Sequence, residues 1–152
     1  MANTQAMTTS FMQELLTGTH NFTPSTGDSF KAALYLASAT VNASTTAYSS
    51  TGEVTGTNYT AGGVAVTNGT APASTNASAT AGTAYWTPSA SITYTNVTLT
   101  TAFDAVLIYN SSKSDKAVSV HTFGSQTVTA GTFTLTMPTN NTTNALLRLA
   151  TT

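Results

Sequence analysis

Polar and apolar residues follow a helical rhythm once, near the start of this chain, and an alternating one afterwards. In S-F-M-Q-E-L-L-T-G, residues 10–18, Phe11 with Leu15 and Met12 with Leu16 stand four apart, the spacing of one helical face. Ser10 and Gln13 have capping-box separation, and Gly18 can take the left-handed conformation that stops a helix. This predicts a single two-turn helix. So short a helix is marginal in water, so its apolar residues must rest on the domain or on a neighbouring subunit.

From Phe30 onward the period is two, the mark of strands. In FKAALYLA, Phe30, Leu34 and Leu36 share a face, with Lys31 and Tyr35 opposite; Val64 and Val66 agree in the same way. ITYTNVTLT alternates apolar residues with threonine, and its phase slips near Asn96, which predicts a bulge. FDAVLIYN is apolar on both faces and reads as a central strand covered on two sides. AVSVHTF, QTVT, GTFTLTMP and ALLRLA continue the pattern, with Phe133, Leu135 and Met137 inward. Turn clusters separate these runs, among them TPSTGDS, NSSKSD and PTNNTTN, and the longest loop is Thr67–Thr83. Seven or eight short strands with such spacing predict an all-β, antiparallel β-sandwich or jelly-roll-like domain over residues 30–152. Residues 1–29, with the short helix, are expected to form an N-terminal anchoring arm.

Composition narrows the function. Only 6% of the 152 residues are charged, against about 25% in an ordinary soluble domain, and the net charge is −1. No basic stripe can neutralise phosphates, so nucleic acid is not an expected partner. No apolar run reaches the roughly 18 residues of a membrane helix, and MANTQAMTTSF lacks the cationic, then apolar, pattern of a signal peptide. The absence of cysteine excludes disulfides and thiolate metal sites and fits cytoplasmic synthesis. Threonine and serine make up roughly a third of the chain. A nearly uncharged, threonine-coated surface repels its own kind weakly and suits a crowded assembly. Asn-x-Ser/Thr triplets recur at Asn21, Asn42, Asn58, Asn68, Asn76, Asn96, Asn110, Asn140 and Asn141, as chance produces in a chain this rich in hydroxyls.

Candidate chemistry is sparse. The glycine-rich stretch SSTGEVTGTNYTAGGVAV places five residues between Gly56 and Gly62 and then Gly63-Val64 where a phosphate loop needs Lys-Ser/Thr. Its glycines therefore read as turn and strand-entry positions. His20 and His121 lack metal-ligand spacing. Among Glu14, Asp28, Glu53, Asp104 and Asp115, only Asp104 adjoins a buried strand, where capping a turn or pairing with Lys31 or Arg148 is expected; Asp115 with Lys113 and Lys116 reads as a solvated hairpin tip. Tyr85 and Trp86, being adjacent in a strand, face opposite ways, which predicts Trp86 in the core and Tyr85 at a rim. No catalytic, cofactor or metal residues are assigned, and an enzyme is not expected.

Several segments taken together resemble a family of small tailed-bacteriophage virion structural proteins. They are FKAALYLASATVNASTTAY, GEVTGTNYTAGGV, AVLIYN, GTFTLTMP and ALLRLA, within residues 30–150. The resemblance implies a capsid decoration (cement) protein on the outer shell, bracing neighbouring major capsid subunits, with the phage major capsid protein as partner and a homotrimer as the assembly. A tail or head–tail connector component is the alternative, and a host-glycan-binding module using Tyr59, Tyr85 or Trp86 the second. Synthesis in the host cytoplasm and a place on the capsid surface follow from it. Phe11, Met12, Leu15 and Leu16 are the expected partner-binding residues.

Overall fold

The computed structural model describes residues 2–75 and 82–151. Asn76 and the rest of 76–81, within the Thr67–Thr83 loop, lie outside the described residues. The protein is all-β and antiparallel, with one short helix. In chain order its elements are β1 (Ala6–Met7), α1 (Thr9–Leu16), β2 (Phe30–Leu36), β3 (Val64–Val66), β4 (Ala73–Ser74), β5 (Thr83–Trp86), β6 (Ile92–Asn110), β7 (Lys116–Leu135) and β8 (Leu147–Ala150). A five-stranded sheet has the order β1-β7-β6-β2-β3, and a three-stranded sheet the order β4-β5-β8.

The expected strands are present, but two of them are not short. ITYTNVTLT and FDAVLIYN merge into the 19-residue β6, and AVSVHTF, QTVT and GTFTL merge into the 20-residue β7. Bulges take the place of the expected breaks. Asn96, at φ 52°, marks the slip read from the sequence, and Ala130, at φ 46°, sits close to it on the facing strand. Asparagine tolerates this left-handed geometry better than most side chains. The register shifts bend the hairpin so that its far half turns back over β2. The Tyr94 hydroxyl donates to the Ala32 carbonyl at 2.8 Å, and Phe103 meets Phe133 edge-on at 5.0 Å.

FDAVLIYN is covered on both faces, as its pattern predicts. On one side Phe30, Ala32, Leu34, Val106 and Ile108 join Phe11, Trp86 and Leu147 in the main core. On the other, Ala33, Tyr35, Ala105, Leu107 and Tyr109 pack beneath Val41, Ala39 and Tyr48 from the segment between β2 and β3. That segment roofs the sheet. β4 lies inside the expected loop and pairs with β5.

Phe11, Met7, Leu15 and Phe22 from the N-terminal segment are built into this core, so the expected boundary at residue 30 does not divide the packing. β1 pairs with β7, Thr4 N–H donates to the Val41 carbonyl, and Phe11 is 2% exposed. Helix α1 begins earlier than the Ser10–Gln13 spacing suggests. Thr8 is the cap: its oxygen accepts the Phe11 N–H at 3.3 Å, while its hydroxyl lies 3.2 Å from the Ala117 carbonyl. A cap that also ties the helix to β7 outcompetes one that serves the helix alone.

Candidate functional site

Three regions concentrate the chain's aromatic and charged groups: an apolar groove beside α1, a charged network beneath it, and a tyrosine cluster under the roof segment. The four helix residues expected to meet a partner divide between core and surface. Phe11 is in the core and Leu15 is half-buried against it, so Phe11 is not available to a partner. Met12 is 44% exposed and Leu16 89%. Between α1 and the three-stranded sheet runs a groove of about 320 Å³, lined among others by Leu15, Phe22, Tyr85, Trp86 and Leu149. Its floor is rigid aromatic packing. Phe22 stacks on Phe30 at 4.4 Å and meets Trp86 edge-on at 4.8 Å, and the Trp86 indole N–H donates to the Thr70 carbonyl at 3.0 Å. Trp86 is thus the core anchor and Tyr85 the rim residue that their adjacency predicts. Leu149, 42% exposed, stands at the groove's edge. Met12, Leu16 and Leu149 are the exposed large hydrophobic residues of the described chain.

The charged network holds α1 in this orientation. Glu14 accepts from His20 Nε2 at 2.7 Å and from Lys116 Nζ, and Asn110 Nδ2 donates to both His20 Nδ1, at 2.9 Å, and Asp28, at 2.8 Å. Lys113 approaches Asp28 at 3.7 Å. Both lysines of the expected hairpin tip therefore pair with acids from the N-terminal segment rather than with Asp115. The His20 side chain is fully enclosed and both its ring nitrogens are taken by protein, which leaves no lone pair or proton for a ligand. Among the described residues no group of three His, Asp or Glu side chains is placed to hold a metal ion. Asp104 meets neither Lys31 nor Arg148 in an ion pair; it accepts from the Asn3 amide at 2.6 Å.

The sequence reading missed the third region entirely. Glu53, 6% exposed, accepts the Tyr48 hydroxyl at 2.6 Å, the Tyr59 hydroxyl at 2.8 Å and the Gly62 N–H at 2.8 Å. Tyr109 donates to the Gly62 carbonyl at 2.7 Å and stacks on Tyr48 at 4.9 Å. The glycine-rich stretch is thus a carboxylate-centred clasp, and Tyr59 is occupied within it rather than presented for stacking on a glycan. The only sequence signal was a lone acid, Glu53, with Tyr48 and Tyr59 a few positions to either side, and Tyr109 lies far along the chain.

Titration follows from these contacts. Burial would raise the Glu14 carboxyl, but the hydrogen bonds and charges of Lys116 and His20 outweigh it and hold the group below its ordinary value. Burial opposes Asp28 likewise and is outweighed by Asn110 and the Asn21 N–H. Burial pushes Tyr35 and Tyr109 up to about 12, and Tyr48, Tyr59 and Tyr94 upward too. Burial alone lowers His121 to about 4. The two depressed carboxylates contribute stability above the ordinary carboxylate range that is lost as pH falls below about 4. The raised phenols contribute stability below about pH 10 that is lost as pH climbs through about 12. Tyrosinate absorbance is therefore expected to rise together with the loss of near-ultraviolet circular dichroism above about pH 11. A gradual titration centred near pH 10, with the dichroism intact, would contradict the burial of these rings.

No known protein family, curated protein or solved structure matches this chain. No helix of the described residues is long and apolar enough to cross a membrane.

Proposed function

We propose that this protein is a virion structural protein of a tailed phage, a decoration protein that attaches to the outer capsid shell and braces neighbouring major capsid subunits. The observation that carries this reading is the exposure of Met12 and Leu16 on α1, the helix whose Leu15 lines an aromatic-floored groove edged by the exposed Leu149, on a surface otherwise rich in threonine and serine. Large apolar side chains left in water on a helix that borders an apolar groove mark an interaction site. The helix that bears two of them is held rigidly by Thr8, Glu14 and Lys116, so little ordering cost accompanies binding. The resemblance of residues 30–150 to phage virion proteins points the same way and supplies the partner.

Burying the Leu16 side chain on a partner contributes about 2 kcal/mol. Leu16→Asp is expected to weaken attachment by at least about a hundredfold, because an aspartate there must also be desolvated. Its melting temperature should stay at the wild-type value, since Leu16 is almost fully exposed. Quantitative mass spectrometry of purified particles is the measurement. The wild-type chain should approach the copy number of the shell protein, and the variant should be depleted. A handful of copies would place the protein in the tail or connector, and its absence from particles would remove the reading. Wild-type occupancy by Leu16→Asp would mean that α1 is not the anchor.

A further inference from the structure

The long hairpin leaves β7 with an edge that no described strand pairs with over most of its length. On its inner side β7 pairs with β6 along its length; on its outer side it pairs only with β1, through Ala6↔Val120 and Met7↔Ser119. Beyond Val120, among the described residues, no strand lies against that outer side.

Folded proteins protect such edges with charge, proline, brevity or bulges. Here no charged side chain occurs between Lys116 and Arg148, and the first proline after β7 begins is Pro138. Ala130 takes a left-handed φ and β6 carries one extra residue opposite Gly131–Phe133, but that bulge is on β6, and Phe133–Leu135 run in unbroken register against Tyr94, Thr93 and Ile92. Gly131–Leu135 is thus a bare, uncharged edge of ordinary strand length. Its residues also alternate in exposure. Thr132 and Thr134 are exposed, while Phe133 and Leu135 are half-buried against the core and keep part of their apolar surface in water. Two paired strands are weak support for such a face, and a third would complete it.

We propose that Gly131–Leu135 of β7 pairs antiparallel with the same segment of a second copy of this chain, across a twofold axis near Phe133. Self-pairing is the arrangement this segment favours. A twofold axis at Phe133 sets Thr132 of each copy opposite Thr134 of the other, an accepted cross-strand pair, and brings the half-exposed Phe133 and Leu135 of both copies onto one continuous face. No like charges meet. The pairing is independent of whatever α1 recognises, and it differs from the threefold assembly implied by the phage resemblance, so mass separates the two.

The test is sedimentation velocity of the full chain over a range of concentrations, wild type beside Thr132→Lys/Thr134→Lys. The wild type should dimerise as concentration rises. The double variant sets lysine against lysine at both facing pairs and should weaken dimerisation by at least about tenfold, with its melting temperature unchanged. A wild type that stays monomeric, a trimer, or a dimer equally strong in the variant would each overturn the proposal. Amide hydrogen exchange of the wild type is the second measurement and needs no variant. Protection of Gly131–Leu135 must rise with concentration; protection gained in α1 instead would overturn the pairing.

Discussion

Glu53→Ala is expected to lower the stability of this protein by on the order of 4 kcal/mol, a fall in melting temperature of about 10 °C. The substitution strands three donors at once: the Tyr48 and Tyr59 hydroxyls and the Gly62 N–H. Each unsatisfied buried donor costs about 1–3 kcal/mol, and removal of the side chain leaves a void in addition. The loss extends beyond one contact because Glu53 gathers parts of the roof segment that themselves hold the sheet, Gly62 by accepting from Tyr109 and Tyr59 through β2. Tyr59 also accepts the Leu34 N–H of β2, and the Tyr35 hydroxyl donates to the Ser49 carbonyl nearby. Glu53→Gln should be milder, about 1–2 kcal/mol, because one amide oxygen can still accept and a hydroxyl can turn to receive its N–H. Thermal unfolding of the two variants beside wild type checks the ordering. If alanine costs no more than glutamine, the buried clasp does not hold the roof.

Gly63→Ala should be worse still and is expected to prevent stable folding, a cost on the order of 5 kcal/mol. Gly63 has φ +73°, and an added Cβ would lie 1.7 Å from the Ala32 carbonyl oxygen and 2.8 Å from the Ala33 Cα. Both are backbone atoms in the middle of β2, which cannot yield without breaking its ladders to β3 and β6. Gly18 is the control. Its φ is +67°, but nothing lies within 4 Å of the added atom, so Gly18→Ala should cost only the left-handed strain of about 1–2 kcal/mol. Soluble yield and urea unfolding distinguish the pair. Equal stability would mean that close approach at Gly63 does not govern the turn into β3.

The contrast between these glycines shows what a chain can reveal about itself. Positions whose role depends on neighbours near in sequence were legible. Gly18 ends a helix visible in its own periodicity, Asn96 sits at a phase slip, and Trp86 and Tyr85 are separated by the pleat of their own strand. Glu53 was not legible, because its partners, Tyr48, Tyr59 and Gly62, are polar residues in irregular chain with no period to mark them. The network of Glu14, His20, Asn110 and Lys116 escaped for a related reason: its members come from a helix, a loop and both sides of a hairpin turn, up to 102 residues apart. The division of Phe11 and Leu15 from Met12 and Leu16 was half visible. The two i, i+4 pairs follow from helical geometry, but which pair faces inward depends on where Phe22 and β7 lie.

By itself, then, the sequence determined the antiparallel β class, the threonine-coated and nearly uncharged surface, the single short helix and the two-faced burial of FDAVLIYN. These follow from local alternation, backbone propensity and composition, which act over a few residues. The tertiary structure alone decided that β6 and β7 run on through their bulges, that Phe11 and Phe22 of the N-terminal segment enter the core, that Glu53 gathers its hydroxyls, and that α1 leaves Leu16 in solvent. Each of those outcomes is set by which distant surfaces meet, and local alternation carries no information about that.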